Sequence, residues 1–157
     1  MTEPVRVSVD VGAPVEKAWT VYTEQYGTWY PKDHHLGAQP AQTVVIEPWV
    51  GGRWYEKQAD GTEPVWGHVL AWEPPGRLVL SWAVGGDWQH DPDPAHHSEI
   101  EVTFTPIGTG TRVVLEHRHL DRHGDGTASV RAGVAGEGGF PLYLRRFAAA
   151  TEGRELD

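Results

Sequence analysis

The chain contains no cysteine. That excludes a disulfide framework, a thiol nucleophile and any zinc site built on thiolates. It also lacks a run of about 18 apolar residues, the length that marks a bilayer-crossing helix, so no membrane span is expected. Positive charge is scarce: 13 Lys and Arg stand against 22 Asp and Glu, a formal net charge of −9. The basic residues are dispersed apart from the pair Arg145 and Arg146. Nucleic-acid affinity depends on clustered Lys and Arg, so no nucleic-acid partner is expected. Familiar catalytic signatures are missing as well. Ser8, Ser81, Ser98 and Ser129 all lie outside a Gly-x-Ser-x-Gly elbow. No HExxH spacing or Walker-type or dinucleotide-binding glycine motif is present, and Gly136-Glu137-Gly138-Gly139 follows no predicted strand. The first residues, Met1 to Arg6, have no basic segment leading into an apolar one, so a cytoplasmic location is expected.

Tryptophan, by contrast, is abundant. Trp19, Trp29, Trp49, Trp54, Trp66, Trp72, Trp82 and Trp88 fall within 157 residues, a length that suits one domain with a sizeable core. Each indole carries a large apolar area and one hydrogen-bond donor. Such side chains line a cavity as readily as they fill a core.

Periodicity places the elements. Val5, Val7, Val9 and Val11 alternate with polar residues, the pattern of a half-buried strand. Pro14 suits the first turn of a helix, and Val15, Ala18, Trp19 and Tyr22 recur at helical spacing up to Glu24. A short second helix or turn is expected around Tyr26 to Tyr30. Strands follow over Thr43–Glu47, Arg53–Gln58, Pro64–Glu73 and Leu78–Trp82, separated by Gly- and Pro-rich turns. Gly85 to His97 is the least ordered-looking segment. Ile100, Val102 and Phe104 mark the next strand, and Val113, Leu115 and His117 share one face of the last. From Thr127 to Ala150 the pattern is helical but interrupted by glycines, which predicts a break near Gly138-Gly139-Pro141. This is an α+β order: a strand, one or two short helices, about six further antiparallel strands and a long C-terminal helix.

Several segments in this order resemble the START-like (SRPBCC) superfamily, in the branch related to the activator of the heat-shock-protein-90 ATPase. They are Ala13 to Trp19 entering the first helix with Trp29 beyond it, Gly51-Gly52-Arg53-Trp54, Gly67-His68-Val69, and Glu73-Pro74-Pro75-Gly76-Arg77-Leu78. Ser81-Trp82, Thr103-Phe104-Thr105-Pro106 and Gly110-Thr111-Arg112-Val113 complete the set, which covers nearly all of the chain. The resemblance implies a single START-like domain over residues 1–157 with a helix-grip fold, a curved antiparallel sheet wrapped around the C-terminal helix. It also implies an apolar cavity between them for a lipid, aromatic or polyketide-like molecule. The glycine-rich final helix and the His- and Asp-rich loop at Gly85 to His97 depart from the usual pattern. Fold alone does not set function in so diverse a superfamily.

Strand alternation puts Trp54 with Glu56, Leu78 and Leu80 with Trp82, Ile100 and Val102 with Phe104, and Val113 and Leu115 with His117. Facing the terminal helix, these would form a mostly apolar enclosure with two polar members, the composition of a small-molecule pocket. The expected ligand-binding residues are Trp54, Glu56, Trp82, Phe104, Leu115, His117 and Phe140. Glu56 and His117 are the candidates for acid–base work; the bland alternative is a packed core with a hydrogen-bonded His117. His117 and His119 would share a strand face near His123, Asp121 and Asp125, and His34-His35 and His96-His97 add pairs. Solvated loop histidines explain these better than a metal site, and neither a metal nor a cofactor is expected. Trp88 is either a lid, a partner contact or an aromatic folded back from a solvated loop, and exposed aromatics leave a homodimer open. The leading function is a binding protein for a hydrophobic small molecule. The alternatives are a polyketide cyclase- or dehydratase-like enzyme and a chaperone-cofactor or protein-interaction module.

Overall fold

The computed structural model describes residues 3–31 and 42–155. The predicted pair His34-His35 lies outside them. Alternating valines form β1 (Val5–Val11), which leads into α1 (Val15–Glu24) and α2 (Tyr26–Trp29). Pro14 is one residue earlier than expected, at the cap position, with its carbonyl accepting from Ala18 N at 3.0 Å. Its fixed φ and missing N–H suit that place equally well. Six further strands follow: β2 (Thr43–Ile46), β3 (Arg53–Lys57), β4 (Val65–Glu73), β5 (Arg77–Trp82), β6 (Ser98–Ile107) and β7 (Gly110–Arg118). They form one antiparallel seven-stranded sheet in the order β1-β7-β6-β5-β4-β3-β2. The strands from β2 onward are therefore a simple meander, and β1 closes the far edge against β7.

The sheet curls into a half-barrel around the C-terminal helix, the helix-grip arrangement. The helical tail is divided as its glycines predict, into α3 (Thr127–Ala135) and α4 (Phe140–Glu152) with Gly136 to Gly139 between them. Pro141 lies in the first turn of α4, where it costs no hydrogen bond. Phe140, Leu144, Phe147 and Thr151 recur at three- and four-residue spacing and form its buried face. Phe147 reaches Tyr22 and Trp29 at ring-centroid distances of 5.2 and 5.5 Å, so α4 is clamped against α1 and α2 as well as the sheet.

Register determines which side chains face that helix. Leu80 pairs with Ile100, which pairs with His117, and Leu78 pairs with Val102, which pairs with Leu115. All six are buried. On the opposite face Arg6, Arg77, Arg112 and Arg118 are ion-paired to carboxylates of neighbouring strands. Those four arginines present no uncompensated basic patch. Among the described residues no helix is long and apolar enough to cross a membrane.

The segment from Gly85 to His97 is more ordered than its composition suggests. Asp91 N donates to Ala83 O, His90 bridges to Val84, and the His90 ring bonds Val65 O at 3.1 Å. The Asp93 carboxylate caps a short 3-10 turn at Pro94–His96. Carboxylate and histidine side chains here act as local backbone substitutes. The segment folds back over the end of β5, where Ser81 is buried although it points away from α4. Trp88 takes a left-handed backbone (φ 59) and lays its indole on Gly133 of α3, where a Cβ would collide with the ring. It remains 41% exposed.

Close approach of β4 and β5 makes a clear demand on one residue. A Cβ on Gly67 would run into the Ser81 carbonyl oxygen, which is backbone and cannot swing aside. Gly67→Ala is expected to destabilise the fold by about 1–3 kcal/mol, the usual range for overpacking. Urea denaturation checks this, and an unchanged midpoint would show that the two strands part freely.

Candidate functional site: an aromatic interior with two polar centres

Five rings contact one another in a closed circuit under α4. Trp66 meets Trp82 at 5.4 Å, Trp82 meets Phe140 at 6.3 Å and Phe140 meets Tyr143 at 5.9 Å. Tyr143 then meets Tyr30 at 5.5 Å, and Tyr30 returns to Trp66 at 6.3 Å. Trp54 stacks on Trp66 and tilts against Trp82, both at 5.9 Å. Five structural pieces contribute these rings: β3, β4, the end of β5, the tyrosine just after α2, and the first turn of α4. None is a neighbour of all the others in sequence.

The first polar centre is Glu56, which is 0% exposed. Its carboxylate accepts from Trp66 Nε1 at 3.1 Å and from Gln58 Nε2. A buried carboxylate without such donors would be costly. The hydroxyls of Tyr30 and Tyr143 hydrogen-bond to each other close by. Burial, reinforced by neighbouring phenols and by Glu56, pushes the ionisation of Tyr30 far above its ordinary range. Tyr143 is raised too, again chiefly by burial. Both phenols therefore keep their protons at neutral pH.

The second centre is His117, also 0% exposed. Its ring lies 5.3 Å from Trp82 and 5.6 Å from Phe140. Nε2 is 2.6 Å from Ser98 Oγ, and Ser98 Oγ is 2.7 Å from His123 Nε2. Burial drives the His117 pKa down to about 3, with a smaller push from His123. His117 is accordingly a neutral imidazole at pH 7. Its Nδ1 has no hydrogen-bond partner among the described residues, and the same holds for Trp54 Nε1 and His123 Nδ1. Buried polar atoms are normally satisfied, so an unpartnered nitrogen and an unpartnered N–H among aromatic rings call for an explanation.

The predicted site residues divide into two groups. Trp54, Glu56, Trp82, His117 and Phe140 are joined by the contacts above. Leu115 is buried on the same face of β7, two residues from His117. Phe104 packs elsewhere, against Trp19 at 5.3 Å and Tyr22 at 5.7 Å, under α1. The suggested pairing of His117 with His119 does not occur. The strand ends at Arg118, and His119 turns outward with a left-handed backbone (φ 61). Among the described residues no three His, Asp or Glu side chains are placed to hold a metal ion.

Trp66, Gln58, Ser98, His123, Tyr30 and Tyr143 were not among the predicted site residues. Two of them carried a usable signal, since Gln58 continues the Trp54–Glu56 alternation and Ser98 continues the Ile100–Phe104 alternation. His123 carried none, because a 3-10 segment at Leu120–Gly126 brings it back after the strand has ended.

A curled sheet gripping a C-terminal helix over an aromatic interior is the architecture of the START-like class. Within that class, the chain belongs to the activator of Hsp90 ATPase homolog 1-like protein family, whose model matches residues 12–152. It is 45% identical to the anthrahydroquino-gamma-pyrone synthase Txn09, solved in complex with SUM, over 94% of this chain and 96% of that one (TM-score 0.66). It is 33% identical to CalC, a self-sacrificing resistance protein from Micromonospora echinospora, over 96% and 95% of the two chains (TM-score 0.72). Protein NE0264 from Nitrosomonas europaea, at 15% identity over 96% and 95% (TM-score 0.69), shares the fold. A comparison with curated proteins finds no match.

The depressed His117 pKa has a consequence for stability. The unfolded chain binds a proton at this imidazole below about pH 6.5, whereas the folded chain refuses it until about pH 3. Stability is therefore complete above the unfolded value and falls as the pH drops through that window. Between pH 7 and pH 5 the loss from this residue is about 2 kcal/mol. Urea denaturation of the wild type at the two pH values should show it, and His117→Gln should lack that component. Equal pH dependence in the two proteins would mean that His117 is not held neutral by burial.

Proposed function

We propose that this protein binds a planar polycyclic aromatic molecule of polyketide type and closes an oxygen heterocycle on it. The observation that carries the reading is the neutral His117, whose ring packs beside Trp82 and Phe140 and whose Nδ1 has no hydrogen-bond partner among the described residues. Support comes from the 45% identity to a gamma-pyrone synthase over nearly the full length of both chains. The substrate class is an aromatic polycycle with a phenolic hydroxyl beside a 1,3-dicarbonyl side chain. Its rings suit the indoles of Trp54, Trp66 and Trp82, which offer apolar area and stacking faces.

The chemistry is a cyclodehydration. The phenol oxygen bonds to the distal carbonyl carbon while its proton passes to a base, and the carbonyl oxygen takes up a proton from water to become a hydroxyl. Loss of that hydroxyl with the proton of the intervening carbon releases water and leaves the pyrone ring. His117 Nδ1 is the acceptor of the phenolic proton, and Trp54 Nε1–H is a donor for a substrate carbonyl. Glu56, held by two N–H donors, accepts from the substrate and orients it. Positioned proton transfer of this kind contributes about 10²–10⁴-fold to rate.

A second reading is that the protein only binds such a molecule and sequesters it. The 33% identity to a resistance protein favours this. One experiment separates the two: titration with an anthraquinone bearing a 1,3-diketone ortho to a phenol, reduced to its hydroquinone. Tryptophan fluorescence reports binding, and mass spectrometry reports loss of water. Cyclase activity predicts quenching and a dehydrated product, with His117→Ala lowering kcat about 10²–10⁴-fold while quenching persists. Quenching without product supports the sequestering protein. Neither signal overturns both readings.

A further inference from the structure

We propose that Ser98 and His123 form a proton relay that carries the proton received by His117 out of the aromatic interior to the half-buried His123, beside a histidine-lined cleft at the sheet's end. This rests on the cyclase reading and deepens it, because that reading leaves unexplained how so buried an imidazole can accept a proton. The geometry is two short hydrogen bonds through one hydroxyl, 2.6 Å to His117 Nε2 and 2.7 Å to His123 Nε2.

The fold arranges this junction with some care over backbone. His117 pairs with Ile100, so Ser98 lies two residues further along the same inner face. After Arg118 the chain leaves the strand at His119 and returns through Leu120–Gly126, with a second left-handed position at Gly124 (φ 59). That turn sets His123 over Ser98. Thr127 Oγ donates to Leu120 O at 2.8 Å and ties the turn's ends together. Gly126 meets Gly86 so closely that a Cβ on either would strike the other's backbone, which fixes the turn against the loop over β5. Ser98 also lines a cleft of about 380 Å³ with His68, His90, His97, Glu99 and Arg122. The relay therefore joins two different environments.

The proton count works in one concerted shift. At the start His117 carries its proton on Nε2 and donates to Ser98 Oγ, whose own hydrogen points to His123 Nε2. A substrate phenol gives its proton to His117 Nδ1. The Nε2 proton of His117 passes to Ser98 Oγ, and the former hydroxyl hydrogen passes to His123 Nε2. His117 ends neutral in its other tautomer, Ser98 ends as a hydroxyl turned the other way, and His123 ends as an imidazolium. No charge remains beside Trp82 and Phe140, where burial penalises it. Burial, with His97 and His96, lowers the His123 pKa, and Asp91 partly offsets this; being only half-buried, His123 still holds a proton at less cost than His117 does. A tautomer swap thus lets a buried imidazole work as a base without becoming charged.

The test has two arms. With the reduced anthraquinone diketone, Ser98→Ala and His123→Gln should each lower kcat at least about tenfold while the fluorescence-quenching Kd stays within about twofold. Ser98→Thr, which keeps the hydroxyl, should recover most of the rate. The double variant should be no slower than the slower single one, because a broken relay cannot be broken twice. A Ser98→Ala enzyme within twofold of wild type, or effects that multiply in the double variant, would overturn the relay. The second arm needs no substrate. Imidazole ¹⁵N NMR of the free wild type should show His117 and His123 in opposite tautomers, and Ser98→Ala should abolish that complementarity. If the wild type forms no product, the cyclase reading fails. The hydrogen-bonded pair then stands or falls on this NMR arm, where unchanged tautomers in Ser98→Ala would refute it.

Discussion

A carboxylate and an imidazole shut away from water among aromatic rings impose the constraint on which the rest of this structure depends. Neither can be left as it would be in solution. Removing a charged group from water costs several kcal/mol unless partners replace the lost hydration. Glu56 obtains two N–H donors, one of them an indole from the aromatic wall itself. His117 takes the other route and stays neutral, with its pKa held at about 3. These two solutions explain why Trp66 and Gln58 surround one group and Ser98 the other. They also explain why the interior needs tryptophans in particular, since Trp66 supplies stacking area and a donor at once.

The same constraint gives meaning to the irregular parts of the chain. A plain meander sheet with a terminal helix would leave the end of β6 and β7 open beside His117. Two left-handed residues, Trp88 and His119, and the pair Gly86 and Gly126 at van der Waals approach fold the loop over β5 and the turn after β7 onto that end. Trp88 is 6.4 Å from Trp82 and packed against Gly133, so it continues the aromatic wall outward rather than standing free. The glycine-rich tail and the histidine-rich loop meet at this one corner of the molecule, Gly133 under Trp88 and Gly126 against Gly86.

Much of the architecture was legible along the chain because it depends on local repetition. The alternating valines of β1, the helical spacing of Ala18, Trp19 and Tyr22, and the glycine break before Pro141 all have near-neighbour physical causes. Extending the alternation placed Trp54 with Glu56 and Leu115 with His117. It does not distinguish the end of a face under α1, where Phe104 packs on Trp19 and Tyr22, from the end beside α4 where His117 lies. Periodicity gives the side of a sheet a residue occupies. It does not give the position across a curled sheet at which a helix crosses.

What the sequence determined by itself was therefore the order of elements, the face each strand turns inward, and the burial of one carboxylate and one imidazole within an apolar set. Each follows from spacing between residues a few positions apart. Only the tertiary structure decided which groups complete those two centres. Tyr30 and Tyr143 are brought together from opposite ends of the chain, and Ser98 and His123 meet across 25 positions and a turn with two left-handed residues. The strand pattern that made His117 and His119 look like partners stops at Arg118, and a backbone reversal replaces His119 with His123. Such reversals are set by the packing of distant segments, as where Gly126 presses on Gly86, and no local pattern records them.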